Sequence, residues 1–161
     1  MVLFSQLRYE PNQFARARTV GLILAEAQYN TIYHNNFVKN DVQAQNFWRG
    51  WSQPTFNTLD LGIYGGNYWG DYTGSDSNRD GKGDTPYAVN QANIDRYPLM
   101  RPWRSWDVNC DGLVNVLDLI KIANALGSKL GEAPWNPNAD AKEDGIVNVL
   151  DLIVVANHLG S

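Results

Sequence analysis

The chain has 161 residues, room for one ordinary domain or two small ones, and its 43% hydrophobic and 12% aromatic content can bury a core, which argues against wholesale disorder. The formal charge of −4 sits largely in candidate metal loops, and no basic stripe with interleaved aromatics appears, which argues against a nucleic-acid binder. The single Cys110 rules out an internal disulfide framework and reads as a solvent-side residue in an acidic loop. No apolar run approaches the ~20 residues of a membrane span. Val20–Ala25 is too short even for a signal-peptide core, and no basic leader is placed before it.

In chain order, residues 1–27 are the least legible: Arg16, Arg18 and the apolar run 20–24 fit a strand or a short helix equally. From Asn30 the texture changes. Residues 30–40, NTIYHNNFVKN, alternate β-branched or aromatic residues with Asn, which predicts strand–turn–strand with Ile32 and Phe37 inward. Asn tolerates left-handed turns, and its amide can bond along a stack of similar turns. Residues 42–46 (VQAQN) and 65–72 (GGNYWGDY) follow.

These stretches, at 30–37, 65–72 and 76–87, resemble the closing coils of a NosD-like (CASH, carbohydrate-binding and sugar-hydrolase-associated) right-handed parallel β-helix, over roughly residues 28–103. A solenoid needs at least ~3 stacked repeats to bury a shared core. The chain holds one or two, so it reads as the tail of a longer protein or as an open reading frame beginning late, with residues 1–27 as an improvised cap. Within 76–84, Asp76, Asn78, Asp80, the Lys82 carbonyl and Asp84 place oxygens at alternating positions around Gly81, a candidate calcium loop with no helix after it. Its alternative is a plain polar turn. Residues 97–106, with two prolines and two tryptophans, read as a semi-stiff joint whose aromatics pack on a neighbouring module.

The last third is duplicated. Residues 107–118, DVNCDGLVNVLD, return as 140–151, DAKEDGIVNVLD. A large hard cation takes 6–8 oxygens from a tightly turning segment, with ligands near loop positions 1, 3, 5, 7, 9 and 12 and Gly at 6. The first copy supplies Asp107, Asn109, Asp111, the Leu113 carbonyl, Asn115 and Asp118, with Gly112 at the turn. The second supplies Asp140, Asp144, the Ile146 carbonyl, Asn148 and Asp151. Its third position is Lys142, whose ammonium cannot coordinate and repels the ion, so this site ranks below the first unless water or Glu143 supplies the oxygen.

A helix is expected after each loop, over 116–126 and 149–159, ending at Gly127 and Gly160. The inward stripes predicted from spacing are Val116, Leu119, Ile120, Ala123, Leu126 and Val149, Leu152, Ile153, Ala156, Leu159. The prolines and Asn run before each loop forbid a regular entering helix. These are loop-plus-exit-helix halves rather than calmodulin-like pairs, which disfavours a cytosolic calcium sensor.

The pattern over roughly 107–160 resembles a type I dockerin: two F-hand repeats with Asp at the last ligand position. The resemblance implies a calcium-dependent module that docks onto a cohesin domain of a scaffold or surface protein. Bacterial dockerins often carry a Ser/Thr pair at loop positions 10 and 11; here stand Val116-Leu117 and Val149-Leu150. With neighbouring Lys121 and Val154 these form either a wider core face or an apolar docking surface repeated on both halves. In the second case two binding orientations related by a pseudo-twofold follow.

The resulting expectation is a mixed fold of two modules: terminal rungs of a right-handed parallel β-helix, then a small all-α dockerin of two calcium loop–helix repeats. The divisions are 1–27, 28–100, a linker at 101–106, and 107–161. The expected cofactor is calcium, two ions in the dockerin with a third open at 76–84, and the expected location is extracellular or cell-surface. The alternative is a fragment of a β-helix polysaccharide lyase or glycosidase with its catalytic rungs upstream. Against activity here, Glu10, Glu26, Asp41 and Asp60 show no paired spacing; Trp48, Trp51, Tyr64 and Trp69 are of a type that stacks on sugars, yet capping a solenoid is the commoner use of such residues. Copper is disfavoured because His34, His158, Met100 and Cys110 are scattered.

Overall fold

Short alternating runs rich in Asn and aromatics build short strands. The computed structural model describes residues 13–15, 20–25, 29–47 and 56–161. The chain divides into two units, Met1–Asn78 with Lys82–Trp103, and Arg79–Gly81 with Arg104–Ser161.

In the first unit, strands β1 (Gln13–Ala15), β3 (Asn36–Val38) and β5 (Tyr68–Trp69) pair in parallel, as do β2 (Val20–Ala25) and β4 (Val42–Phe47). The run whose conformation the sequence left open is thus the strand β2; the rest of the proposed cap, residues 1–12, 16–19 and 26–27, lies outside the described residues. The register puts Phe14, Phe37 and Trp69 in line. Parallel bridges Thr31–Thr58 and Tyr68–Leu99 repeat the arrangement, and β6 (Tyr87–Ala88) and β7 (Ile94–Asp95) form an antiparallel pair. Among the described residues the strands remain short and do not close into a complete helix.

Ile32 and Phe37 are buried, as the alternation predicts, in a core with Leu24, Ala44, Leu59 and Trp69. Phe37, Trp69 and Tyr87 stack face to face, with successive ring centroids 4.4 Å apart. The asparagines form ladders. Asn30 Nδ2 donates to Asn57 Oδ1 and Asn57 Nδ2 to Asn93 Oδ1, each at 2.9 Å. Asn35 Nδ2 donates to Asn67 Oδ1 at 3.0 Å, and the Asn67 N–H continues to Asp95 Oδ2 at 2.7 Å. Buried amides are tolerated because each meets a partner on the next turn. Trp103 closes this unit, stacking on His34 at 3.5 Å and exchanging backbone hydrogen bonds with the Asn36 amide.

In the second unit, α1 (Val116–Ala125) and α2 (Val149–Ala156) follow the two acidic loops. Asn115 and Asn148 cap them through capping boxes completed by Asp118 and Asp151. Gly127 and Gly160 adopt φ of +85°, the left-handed geometry that ends a helix. The second helix stops earlier than the sequence predicts, its last residues being turns. The second loop is entered through a single 3-10 turn, Pro137–Ala139.

The predicted inward stripes are wrong in phase. Val116, Ile120, Ala123 and Leu126 are exposed, as are Val149, Ile153, Ala156 and Leu159. The buried positions are Asp118, Ile122 and Ala125 in α1, and Asp151 and Val155 in α2, while Leu119 and Leu152 pack partly against the core. The last loop carboxylate turns inward and fixes the helix rotation, so positions four and seven beyond it follow inward.

The halves exchange their ends. Gly127 N–H donates to the Val147 carbonyl at 2.8 Å, and Val147 N–H donates to the Ser128 carbonyl at 3.0 Å. The same pair recurs one repeat on: Gly160 N–H to the Val114 carbonyl at 2.9 Å, and Val114 N–H to the Ser161 carbonyl at 3.4 Å. Each exit tail therefore clasps the loop of the other repeat. Trp106 stacks on His158 at 4.0 Å beside the second clasp. Among the described residues no helix is long and apolar enough to cross a membrane.

Candidate functional site

Three acidic stretches share one backbone turn. Their fourth residues, Arg79, Cys110 and Glu143, have φ of 60°, 63° and 59°, and their sixth, Gly81, Gly112 and Gly145, have φ of 82°, 83° and 87°. A left-handed residue followed two places on by such a glycine folds the chain tightly enough for side-chain oxygens at alternate positions to face one another.

In the first loop, Asp118 Oδ1 accepts from the Asn109 N–H at 3.1 Å, and its Oδ2 from the Asn115 N–H at 2.8 Å. Asp111 accepts from the Leu113 N–H at 2.8 Å and the Asn109 amide at 2.8 Å. Asp107 Oδ2 takes the Gly112 N–H at 2.9 Å, while the buried Oδ1 has no hydrogen-bond partner. Burial pushes the Asp107 carboxyl up to about 6; the Gly112 N–H opposes this, and the nearby charges of Asp118 and Asp111 add to it. An orphaned buried carboxylate oxygen within the electrostatic reach of two other carboxylates suits a hard cation, whose charge would offset the repulsion. Among the described residues no three His, Cys, Asp or Glu side chains converge as a metal cluster, so an ion would also draw on Asn amides and backbone carbonyls.

The second loop repeats the scaffold with a different charge pattern. Asp140 accepts from the N–H groups of Asp144 and Gly145 at 3.0 and 2.9 Å. Asp151 accepts from those of Lys142 and Asn148 at 2.9 and 2.7 Å. Burial holds the Asp151 carboxyl above its ordinary range. Lys142 Nζ lies 3.0 Å from Asp144 Oδ2. Glu143 occupies the left-handed fourth position.

Residues 76–84 divide between the units, Asp80 falling with the second. Asp84 is exposed and accepts from the Ser77 N–H at 2.8 Å, which holds its carboxyl below the usual range. Cys110 corrects the expectation of a solvent-side thiol: it is buried, and its Sγ receives the Asn138 amide at 3.6 Å.

Val116 and Val149 are each 62% exposed, Leu117 is 51% and Leu150 42%, so they do not widen the core. Lys121 is exposed, whereas Val154 is half-buried against the core. Ile120 and Ile153, which hydrophobic spacing alone places inward, are 48% and 50% exposed. The signal was available in the phase set by Asp118 and Asp151. Trp69 is buried in its stack and not free to meet a sugar, and Trp48 and Trp51 lie outside the described residues, as do Glu10 and Glu26.

Against this geometry, residues 105–160 match the family model of the dockerin type I domain. Residues 5–74 match the family described as periplasmic copper-binding protein (NosD). Taken in chain order, the two matches are those of a NosD-like region followed by a dockerin type I domain. A curated relative, the probable ABC transporter binding protein NosD of Stutzerimonas stutzeri, is 35% identical over 97 residues, covering 57% of this chain and 20% of that protein. No solved structure matches significantly. Both matches point to non-catalytic modules. Dockerin type I domains are calcium-dependent protein–protein interaction modules and generally bind calcium.

Proposed function

We propose that the chain is a calcium-stabilised dockerin that binds a cohesin domain and thereby anchors a NosD-like, carbohydrate-associated parallel β-helix region outside the cell. The observation that carries this reading is the pair of acidic loops, alike in backbone turn, cap and buried last carboxylate. Asp107, Asn109, Asp111, the Leu113 carbonyl, Asn115 and Asp118 would hold one ion. Asp140, Asp144, the Ile146 carbonyl, Asn148 and Asp151 would hold a second. Calcium supplies charge neutralisation and loop closure; the chain supplies oxygens, the turning glycines and helices whose orientation depends on that closure. The parallel pairing of β1, β3 and β5 and the Asn ladders support successive coils of a β-helix.

The docking surface is the exposed apolar pair Val116-Leu117 and its repeat Val149-Leu150, with Lys121 and Val154 beside them, extended by Ile120 and Ile153. Its recurrence on both halves supports two binding orientations. The family matched by residues 5–74 is described as copper-binding, but the chain's His, Met and Cys residues are scattered, so calcium is the metal proposed here.

Circular dichroism with and without EDTA tests the calcium reading. Chelation should remove the helical signal of residues 107–160 and leave the Asn-rich unit largely folded; an unchanged helical signal contradicts the reading. Calorimetric titration counts the ions, including any third held by Asp76, Asn78, Asp80, the Lys82 carbonyl and Asp84. For docking, Leu117→Asp with Leu150→Asp should abolish cohesin binding while calcium-induced helicity survives. Retained binding would move the interface elsewhere.

A further inference from the structure

We propose that Lys142 serves as a resident cation in the second loop, so that loop 107–118 takes calcium first and loop 140–151 fills only at substantially higher concentration. The inference rests on the calcium reading above and adds an order of filling.

The two loops differ in what their carboxylates already hold. Every oxygen of the second loop's three aspartates at ligand positions has a donor. Asp140 takes the N–H groups of Asp144 and Gly145, Asp151 takes those of Lys142 and Asn148, and Asp144 takes the Ile146 N–H and the Lys142 ammonium. In the first loop Asp107 is 5% exposed and its Oδ1 has no donor, while the corresponding third position is Asn109, a neutral side chain with a coordinating oxygen. An incoming ion meets an unsatisfied buried oxygen in one loop. In the other it must separate Lys142 from Asp144 across 3.0 Å and then tolerate the ammonium nearby. The Lys142 side chain is 46% exposed, so solvent moderates the repulsion and the lysine can swing away without unfolding the loop. The second site is thus weakened rather than lost.

The order of filling is read by titrating calcium into the full chain and following the Gly112 and Gly145 amide resonances, one reporter per loop. Gly112 should saturate at a calcium concentration about tenfold or more below that of Gly145, since loop affinity follows ligand number and charge. Lys142→Asn restores an oxygen and removes the charge, and should bring the Gly145 midpoint down by about tenfold while leaving Gly112 in place. Lys142→Gln is the second variant should the first misfold, with helicity in calcium as the check. The reciprocal Asn109→Lys should raise the Gly112 midpoint. Coincident midpoints in the unaltered chain, or a Gly145 midpoint unmoved by both Lys142 variants, overturn the proposal and leave calcium binding intact. Failure of both glycines to respond at millimolar calcium removes the calcium reading itself.

Discussion

Asp95 is a fully buried carboxylate that holds three donors: the Asn67 N–H, the Trp69 indole N–H at 2.8 Å and the Tyr97 N–H at 3.0 Å. It ends one Asn ladder, and it occupies the space a Cβ on Gly66 would need. Burial pushes its carboxyl up to about 7, against the pull of those donors. The ordinary value is 3.8, so between about 4 and 7 the folded state binds a proton that the unfolded state does not. This residue's contribution therefore becomes more favourable as pH falls from 8 to 5. Asp95→Asn should flatten that dependence and, by turning an amide N–H2 against one donor, destabilise the unit by about 1–3 kcal/mol. Denaturant unfolding of both chains at pH 8 and pH 5 checks it; parallel pH profiles would assign the dependence to other groups. Asp60 goes the other way. Burial works against its charge, but the Arg96 guanidinium, with two contacts of 3.0 Å, holds the carboxyl below its ordinary range.

At the level of elements, the acidic loops were legible because ligand spacing and a turning glycine are local properties written within a dozen or so residues. Gly127 and Gly160 were legible for the same reason, whereas the capping role of Asn115 and Asn148 appeared only in the structure. Helix rotation was not legible from hydrophobic spacing, because α1 carries apolar residues on two faces: Ile122 and Ala125 on one, Val116, Leu117 and Ile120 on the other. Periodicity reports that a stripe exists and not which stripe is covered. Asp118 decides it by pointing into the loop. The Asn-rich segment declared its inward residues, Ile32 and Phe37, through period-two alternation. The partners of its amides, from 27 to 36 positions away along the chain, were beyond local reading.

For the second unit as a whole, the exchange of exit tails makes each repeat depend on the other. Gly127 and Gly160 sit at φ +85° with open space around a notional Cβ, so alanine at either position costs about 1–2 kcal/mol of backbone strain without a clash. The damage should appear in the opposite repeat. Gly160→Ala should speed amide exchange at Val114 in the first loop, and Gly127→Ala at Val147 in the second. Faster exchange confined to the mutated repeat would mean that the clasp contributes little.

During synthesis, the first loop emerges from the ribosome well before residues 160 and 161, which close over Val114. The earlier repeat must wait, incompletely hydrogen-bonded, until the later one is translated. Val114 gains both clasp hydrogen bonds only when residues 160 and 161 are in place.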